Sequence, residues 1–480
     1  MRKAKIVCTI GPASDQPATL DRLIEAGLDA ARLNFSHGTH ESHARAIAAV
    51  RKAAANRGRA VAIIQDLQGP RIRIGALPAA VETKAGQELT LAPEGAQRGD
   101  VSGALRLPVT YPDLARDVKP GAKILINDGL IELTVELVAD DEVRCRVVTG
   151  GLITSHKGLN LPGTSVSAPA VTEKDCEDLR FGLAQGVDYV ALSFVRGPED
   201  IAAARSVMAE CGAAVPVIAK IERAEAVEAL EAILEAAEGV MIARGDLGVE
   251  LGPEVVPVLQ KRIIRAANRR RRLVITATQM LESMTQQPRP TRAEASDVAN
   301  AVFDGTDAVM LSAETAAGRY PVESVRVMDR IVRTAEENPA AFRPHGEGRE
   351  DTSIPEALCE AAFQAAEATG SAAIVVFSES GTSARLMSKQ RPAAPIVAFT
   401  PFEPVRRRMA LYWGVLPLSM QRVAESDVRV REVERRLAEQ NMASAGARIV
   451  ILAGTLVGQI GGTNVMKVHE VGQVGEERNP

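Results

Sequence analysis

The sequence predicts an α/β protein built on a closed (β/α)8 barrel, with an inserted β domain and a smaller open α/β domain near the carboxyl end. Three observations predict this class. Short apolar runs alternate with helical patterns, one long interval is rich in β-branched residues and turn signals, and a second α/β rhythm begins at about residue 350. At 480 residues and 46% hydrophobic, the chain is long enough for two or three domains.

The apolar runs are the predicted barrel strands. They are KIVCTIG from 5, DAARLNF from 29, AVAIIQD from 60, VDYVALSF from 187, VPVIAKIE from 215, GVMIARGD from 239, LVITATQM from 273 and DAVMLSAE from 307. Near-continuous apolar strands that alternate with helices are typical of a parallel sheet covered on both faces, and eight of them fit a closed barrel. An open, doubly wound sheet is the competing architecture.

The interval between the third and fourth runs predicts an inserted β domain. Its segment AKILINDGLIELTVELVADDEVRCRVV holds an Asp128-Gly129 hairpin signal between strand-like stretches. Such an insertion leaves the barrel from a βα loop, on the face where barrel enzymes keep their catalytic groups, so we expect it to act as a lid. The predicted domains are the barrel (1–69 and 169–345), the lid (70–168) and the C-terminal α/β domain (346–480).

Composition excludes several classes of partner. The formal net charge of −4, from 57 basic and 61 acidic residues, gives no global attraction to nucleic acid or anionic lipid, and 3% aromatic residues offer few stacking surfaces. Five scattered cysteines fit a reducing compartment better than a disulfide framework. We find no signal peptide and no run long enough to span a membrane, and we expect a cytoplasmic protein.

Charged and polar residues follow the predicted strands at their carboxyl ends, which meet on one face of a barrel. These residues are Arg32, Asn34, Asp66, Lys220, Glu222, Arg244, Asp246 and Thr278. Glu222 and Asp246 offer hard oxygen ligands for Mg²⁺ or Mn²⁺, while Lys220, Arg32 and Arg73 supply positive charge for a phosphate. The alternative is that each charge merely caps a strand and pairs in a salt bridge.

Long stretches, among them KIVCTIGPAS, ARLNFSHG, MIARGDLGVE, TATQMLESM and PTRAEASDVANAVFDGTDAVMLSAETAAGRYP, resemble the pyruvate kinase family, and the resemblance covers essentially the whole chain. It implies a barrel with an inserted β-barrel lid and a C-terminal α/β regulatory domain, assembled as a homotetramer. The implied activity is transfer of the phosphoryl group of phosphoenolpyruvate to ADP, which gives ATP and pyruvate.

The resemblance also implies roles. Lys220 stabilises the phosphoryl group in flight, Glu222 and Asp246 hold the divalent ion, and Arg32 and Arg73 contact phosphate and nucleotide. Nucleotide contacts are implied for Asn34, His37, Arg73 and Lys157, and monovalent-ion contacts for Asn34, Ser36, Asp66 and Leu67. The substrate carboxylate cradle is implied for the backbone amides of Arg244, Gly245 and Asp246 with the Thr278 hydroxyl. Thr278 and Ser312 resemble a proton relay to the enolate, although a buried water is an alternative donor.

One segment departs from the commonest family pattern. Potassium-dependent members carry a threonine, a lysine and a glutamate where this chain has Leu67, Gln68 and Arg71. A guanidinium cannot be deprotonated in a protein, so Arg71 is able to supply the charge that potassium otherwise provides. The sequence therefore predicts potassium-independent activity, with a solvated hinge residue as the alternative for Arg71.

The C-terminal domain contains a second pattern that is typical of phosphate-binding sites. Ser378, Ser380, Thr382 and Ser383 follow an apolar strand and open a helix, where hydroxyls and free amides are able to hold a phosphate. A plain helix cap explains the same residues. The resemblance favours a phosphorylated small-molecule effector that contacts Thr382 and Ser383.

Two other features carry less weight. The histidines at 37, 40 and 43 have a spacing that spreads them around a helix, which disfavours zinc. The arginines from 269 to 272 end a helical pattern, where cations complement the helix dipole, so we do not read them as a nucleic-acid site. A non-catalytic, effector-sensing scaffold and a lyase acting on pyruvate enolates are the alternative functions, and the charged constellation at the strand ends disfavours the scaffold.

Overall fold

The computed structural model describes residues 1–95, 105–338, 353–423, 425–454 and 462–473. Three strands and two helices begin the barrel. The strands consist largely of buried apolar residues, and the second helix starts with a capping box in which the side chains of Thr39 and Ser42 each accept a hydrogen bond from the other's backbone amide. These elements are β1 (Lys5–Thr9), α1 (Pro17–Ala26), β2 (Ala30–Asn34), α2 (His40–Asn56) and β3 (Ala62–Asp66).

A β unit is inserted after β3. Its elements are β4 (Val81–Glu82), β5 (Glu88–Pro93), β6 (Leu105–Val109), α3 (Leu114–Asp117), β7 (Lys123–Ile126), β8 (Ile131–Ala139), β9 (Glu142–Thr149), β10 (Leu152–Ile153) and β11 (Leu159–Asn160). Most of these strands form a curled sheet in the order β11-β7-β8-β9-β5-β6, and β4 pairs with β10. Bridges from Arg73 to Gly158 and from Ile74 to Val109 link the two ends of this sheet.

The predicted hairpin lies between β7 and β8, which pair antiparallel. Its turn residues Asn127, Asp128 and Gly129 have φ angles of 58°, 55° and 87°. These values lie in the left-handed region, which asparagine, aspartate and glycine adopt more readily than other residues. The local sequence therefore determines this turn.

The remaining barrel elements follow the inserted unit. They are α4 (Glu173–Ala184), β12 (Tyr189–Leu192), α5 (Pro198–Glu210), β13 (Val217–Ile221), α6 (Ala224–Glu228), α7 (Leu230–Ala236), β14 (Gly239–Ala243), α8 (Arg244–Leu251), α9 (Val256–Arg269), β15 (Leu273–Ala277), a 3₁₀ turn (Glu282–Thr285), α10 (Arg292–Phe303), β16 (Ala308–Leu311), α11 (Ala313–Ala316) and α12 (Pro321–Glu336).

Each of the predicted apolar runs forms a strand of one closed parallel barrel, in the order β1-β16-β15-β14-β13-β12-β3-β2. The pairing of β1 with both β2 and β16 closes the sheet, so the open doubly wound alternative is wrong. The barrel prediction is confirmed.

The C-terminal domain contains α13 (Ile354–Thr369), β17 (Ala373–Phe377), α14 (Thr382–Ser388), β18 (Ile396–Thr400), α15 (Glu403–Met409), β19 (Val415–Ser419), α16 (Ser426–Glu439), β20 (Arg448–Gly454) and β21 (Thr463–Glu470). The sheet order is β19-β18-β17-β20-β21, and β21 pairs antiparallel with β20. The open α/β prediction is confirmed, whereas β21 had not been identified as a strand.

This domain packs against the amino end of the barrel. The Lys5 ammonium at the start of β1 donates to the Val415 carbonyl at 2.8 Å, and the Tyr189 hydroxyl at the start of β12 donates to the Arg408 carbonyl at 2.8 Å. The C-terminal domain and the strand ends that carry the predicted site therefore lie at opposite ends of the barrel. Among the helices that the structure describes, none combines the length and apolar character needed to cross a membrane.

Candidate active site

Asp66, at the end of β3, is the centre of a buried charge network. Its Oδ2 accepts a hydrogen bond from Arg32 Nε at 2.6 Å, and its Oδ1 lies 3.3 Å from Lys220 Nζ. Lys220 Nζ also donates to Ser193 Oγ at 2.7 Å and lies 2.9 Å from Glu222 Oε1. The barrel thus brings together four charged residues from three different strand ends.

The network keeps the Lys220 ammonium charged. Burial acts to lower the pKa of Lys220, but the carboxylates of Asp66 and Glu222 outweigh this effect and raise the pKa above its ordinary value. A charged ammonium fixed in a site largely shielded from water interacts strongly with an anionic group. Lys220 is therefore suited to stabilise a phosphoryl group.

Glu222 and Asp246 provide an acidic pair beside this ammonium. Glu222 is buried, and its Oε2 accepts a hydrogen bond from the Phe194 amide at 2.8 Å. Burial and the nearby charge of Glu222 raise the pKa of Asp246 to about 6, so the second negative charge is unfavourable without a cation.

The donor set fits a hard divalent cation such as Mg²⁺ or Mn²⁺, because carboxylate oxygens are its preferred ligands and a cation relieves the repulsion. Across the described ranges there is no group of three or more His, Cys, Asp or Glu arranged to hold a metal. Substrate oxygens and water would therefore have to complete the coordination of an ion held by this pair.

The inserted unit covers the network. A cavity of about 230 Å³ lies between the unit and the barrel mouth, with Lys220, Glu222 and Asp246 on its barrel side and Arg71 and Arg73 on the side of the insertion. The structure therefore places the predicted lid over the predicted site, and the cavity between them has charges of both signs.

Arg71 adds a positive charge to the acidic cluster. Loss of water around the guanidinium and the like charge of Arg73 lower the pKa of Arg71, whereas the nearby carboxylates, Asp246 first among them, oppose that shift. The side chain stays open to solvent, and a guanidinium keeps its proton near neutral pH. Arg71 thus brings a permanent positive charge to the cavity that Glu222 and Asp246 also line.

Of the residues predicted for the nucleotide, Arg73 lines this cavity, whereas Asn34, His37 and Lys157 are not among its lining residues. Partial burial and the positive charges of Arg71, Arg73 and Arg32 lower the pKa of His37, which places this imidazole beside the arginines. Lys157 lies in the inserted unit, and the residues before and after it in the chain line the cavity. Their contact with a nucleotide stays a prediction.

Protein groups contact oxygens of three of the four residues predicted for a monovalent ion, namely Asn34, Asp66 and Leu67. Asn34 Oδ1 accepts a hydrogen bond from the Ser36 amide at 3.2 Å, and the Leu67 carbonyl accepts one from the Ser193 hydroxyl at 2.8 Å. The Leu67 side chain is buried in the barrel core, and Asp66 already binds two cations. These contacts balance the charge of Asp66 and occupy one acceptor position on each of Asn34 and Leu67.

Thr278 lies next to the start of α8. It adopts a φ of 68°, a strained value for a β-branched residue. Its hydroxyl accepts a hydrogen bond from the Gly245 amide at 2.8 Å and donates one to the Ala277 carbonyl at 2.7 Å. The amides of the first turn of a helix are natural anion donors, so the groups predicted for the carboxylate cradle lie together.

The side chain of Arg244 binds neighbouring elements of the barrel, while its backbone amide is the group predicted for the carboxylate cradle. Its guanidinium donates to the Thr278 carbonyl at 2.7 Å and to Asp297 at 2.8 Å. This arginine therefore holds the β15 loop against α10 and offers only its backbone amide to the site. The Arg244 and Asp246 pair does not repeat the direct contact of Lys220 with Glu222.

Ser312, at the end of β16, has a buried hydroxyl without a hydrogen-bond partner, so it makes no direct hydrogen bond to Thr278. Its amide donates to Glu314 Oε2 at 2.6 Å, and Glu314 Oε1 accepts from the Leu281 amide at 3.0 Å. Burial raises the pKa of Glu314. A relay between the two hydroxyls would thus require a bridging group such as water.

Two of the three nearby histidines have structural partners. His40 Nε2 lies 2.7 Å from Asp178 Oδ1, and its ring stacks on Phe181. The His43 ring stacks on Phe35 with a centroid distance of 3.9 Å. These contacts anchor α2 beside the barrel mouth.

The effector loop of the C-terminal domain has hydroxyls in two environments. Ser383 is buried and its Oγ lies 2.6 Å from Thr463 Oγ1 of β21, while the Ser378 hydroxyl accepts a hydrogen bond from the amide three residues later. Ser380 Oγ donates to Thr382 Oγ1 at 3.0 Å, and both of these groups lie nearer the surface. A ligand could therefore reach Ser380 and Thr382 more directly than Ser383.

Sequence reasoning did not identify several groups of this site, namely Ser193, the Phe194 amide and Glu314. Ser193 directly follows the strand run VDYVALSF, so the position rule that identified the other strand ends would have found it. Glu314 acts through backbone amides, which leave no pattern in a sequence.

Known proteins match this chain over nearly its whole length. The family model described as the pyruvate kinase barrel domain matches residues 1–325, and the model for the pyruvate kinase alpha/beta domain matches residues 356–469. The chain is 46% identical over 475 residues to pyruvate kinase 2 of Synechocystis, covering 98% of this chain and 79% of the relative. It is 44% identical over 476 residues to the pyruvate kinase of Mycobacterium tuberculosis, covering 98% of this chain and 99% of that one. For the pyruvate kinase of Geobacillus stearothermophilus, identity is 46% over 477 residues, with 98% and 80% of the two chains covered.

Proposed function

Because this chain belongs to the pyruvate kinase family and is a phosphotransferase of glycolysis, we propose that the site at its barrel mouth carries out Mg²⁺-dependent phosphoryl transfer from phosphoenolpyruvate to ADP. The observation that carries this proposal is the buried network in which Lys220 lies between Asp66 and Glu222. ATP and pyruvate are the products that the family implies.

The cationic side chains and the backbone amides of the site have different proposed roles. Lys220 and Arg32 stabilise the negative charge that is spread over the transferring group, and Arg73 approaches it from the lid. The amides at the start of α8, together with Thr278, hold the substrate carboxylate. Phosphoryl transfer of this kind depends mainly on positioning and electrostatics, so rigidly held cations are the main requirement.

Glu222 and Asp246 would hold the divalent ion, which would supply positive charge to offset the negative charge of the transferring group. Replacing Glu222 by glutamine keeps its shape and removes its charge. We expect the Mg²⁺ concentration for half-maximal activity to rise by at least about tenfold, since even outer-shell partners of a metal cost that much. Glu225→Gln is the matched control three residues away, and an unchanged Mg²⁺ dependence in Glu222→Gln would reject the assignment.

We further propose that Arg71 replaces the potassium ion. Arg71 lines the same cavity as Glu222 and Asp246 and is attracted to their charges, which supports this proposal. The protein contacts of Asn34 and Leu67, two of the predicted potassium ligands, support it as well. Wild-type rates should be equal in potassium and tetramethylammonium buffers. Arg71→Glu should lose activity without potassium and regain it when potassium is added, whereas Arg144→Glu, on an exposed lid strand, should not. A large loss of wild-type rate without potassium contradicts the proposal.

Protonation of the enolate is assigned to Thr278 and Ser312, with a water between them because their hydroxyls are not directly bonded. If Thr278→Ser and Ser312→Ala both keep the wild-type rate of enolpyruvate ketonisation, the relay is wrong. A buried water would then be the donor.

The remaining proposals concern regulation and assembly. We propose that residues 346–480 form a regulatory domain that binds a phosphorylated effector near Ser380 and Thr382, that the lid spans 70–168, and that the enzyme is a cytoplasmic homotetramer. Arg422 lies beside this loop and forms a two-bond ion pair with Glu379 at 2.7 and 2.8 Å. An effector phosphate would compete with Glu379 for that guanidinium. Absence of any shift in the substrate response with sugar phosphates or AMP favours a plain helix cap.

A further inference from the structure

A short stretch of the inserted unit is bound to the barrel by side chains outside the charge network. Arg223 donates through its Nη2 to the Thr164 carbonyl at 2.7 Å. Glu250 Oε1 accepts a hydrogen bond from the Gly163 amide at 3.3 Å. The amide and the carbonyl belong to neighbouring residues of the lid, so the two barrel side chains bind adjacent backbone groups.

A second arginine extends this contact. Arg196, which follows β12, donates to the Val166 carbonyl at 2.7 Å, and Asp200 binds its guanidinium at 3.1 Å. The barrel therefore holds residues 163–166, called lid segment 163–166 below, through three of its four residues, Gly163, Thr164 and Val166.

The side chains of Arg223 and Glu250 that bind the lid segment are buried. Their side chains are 11% and 2% exposed, and Arg223 Nη1 lies 3.6 Å from Glu250 Oε2. Surface ion pairs with long side chains are mobile and contribute little, whereas a buried pair with backbone partners has a fixed geometry. Movement of either side chain therefore moves lid segment 163–166.

Both residues lie close in the sequence to the acidic pair, Glu222 and Asp246. Arg223 directly follows Glu222 at the end of β13. Glu250 lies four residues after Asp246 within α8, and residues with this spacing share one face of a helix. One strand end and one helix thus each present a carboxylate to the site and a side chain to the lid.

We propose that Arg223 and Glu250 are positioning residues that couple the acidic pair to lid segment 163–166 and so set the affinity for the nucleotide. This inference rests on the proposed nucleotide site between the lid and the barrel. The two side chains do not touch the reacting groups. They fix the angle at which the lid presents its arginines to the cavity.

The inference separates the two substrates. Apart from Arg73, the groups assigned to phosphoenolpyruvate lie in the barrel, whereas the nucleotide site also needs Lys157 of the lid. Weakening the hydrogen bonds of Arg223 and Glu250 to the lid segment should therefore raise KM for ADP and leave KM for phosphoenolpyruvate unchanged. Ketonisation of enolpyruvate needs no nucleotide, so its rate should be unchanged as well.

The test compares Glu250→Ala with Glu250→Gln in the full-length enzyme. The alanine variant loses the acceptor for the Gly163 amide, and we expect KM for ADP to rise by about tenfold, the effect of one lost charge-assisted hydrogen bond. Glutamine keeps an acceptor oxygen at the same place and should restore most of the affinity. Amide hydrogen exchange at Gly163 should be faster in the alanine variant alone.

Glu225→Gln is the matched control. Glu225 binds the same arginine at 3.1 Å, and within the described part of the chain it makes no hydrogen bond or ion pair to lid segment 163–166, so this variant should leave KM for ADP unchanged. An equal rise of KM for both substrates, a parallel loss of ketonisation, or an unchanged KM for ADP in Glu250→Ala would overturn the inference. A wild-type enzyme that forms no pyruvate would instead refute the proposed function.

Discussion

Replacement of Asp66 by asparagine removes the negative charge that joins Arg32 to Lys220 while keeping the size of the side chain. Asp66 is buried, and its two oxygens bind the two cations separately. Ser193 Oγ is a third, neutral neighbour of Asp66, at 3.4 Å. The variant therefore tests whether one carboxylate positions both cations of the site.

The distances give the expected size of the effect. With an effective dielectric constant of about 20, the attraction is about 5 kcal/mol for Lys220 at 3.3 Å and about 6 kcal/mol for Arg32 at 2.6 Å. Burial of the three charges offsets much of this gain, and breaking a buried ion pair typically costs about 3–5 kcal/mol of the free energy of unfolding. Because misplacing a catalytic group by about 1 Å costs roughly 100-fold in rate, we expect a loss of about that size in kcat.

The assay is kcat for pyruvate formation, together with urea unfolding of the same preparations. Ser193→Ala is the control, because it removes the hydroxyl neighbour of Asp66 and Lys220 but keeps all charges. Ser193→Ala should lower the free energy of unfolding by only about 1 kcal/mol. If Asp66→Asn keeps a kcat within a few-fold of wild type, or if Ser193→Ala loses as much as Asp66→Asn, the carboxylate does not position the cations.

Two further predictions concern buried charges at the amino end of the barrel. Burial lowers the pKa of Lys5 from 10.5 to about 8, so between these pH values the unfolded chain binds more protons than the folded chain. The stability of wild type should rise by about 3 kcal/mol across that window relative to Lys5→Met, and parallel curves of unfolding free energy against pH would contradict this. Asp307 binds Lys389 across the domain contact, with both side chains almost fully buried. Asp307→Asn should lose about 3–5 kcal/mol in urea unfolding, and adding Lys389→Met should recover part of it; a loss below about 1 kcal/mol would show that the pair is dispensable.

The barrel was predictable because its signal is local. Each strand is a short run of apolar, often β-branched residues, and the hairpin at Asp128 and Gly129 depends on residues that tolerate positive φ. The strand β21 was missed because its sequence TNVMKVHE mixes polar and apolar residues. This composition fits an edge strand that pairs with one neighbour and is partly exposed.

The site was predictable to the extent that position along a strand determines it. The rule that barrel residues meet at the carboxyl ends identified Asp66, Lys220 and Glu222, which do lie together. It could not determine the direction of a long side chain, such as that of Arg244, whose guanidinium binds Asp297. Contacts between distant segments, such as Glu250 with the lid, depend on the tertiary fold and have no sequence pattern.

The most direct test of the proposed chemistry compares Lys220→Met with wild type in forming pyruvate from phosphoenolpyruvate and ADP with Mg²⁺. Lys52→Met, which removes an exposed ammonium from α2, serves as the control. We expect wild type and the control to turn over at the same rate, and Lys220→Met to lose at least about 100-fold in kcat, as preorganised electrostatic groups of active sites do. A Lys220→Met enzyme that forms pyruvate at the wild-type rate would show that transfer does not depend on the ammonium at the barrel mouth.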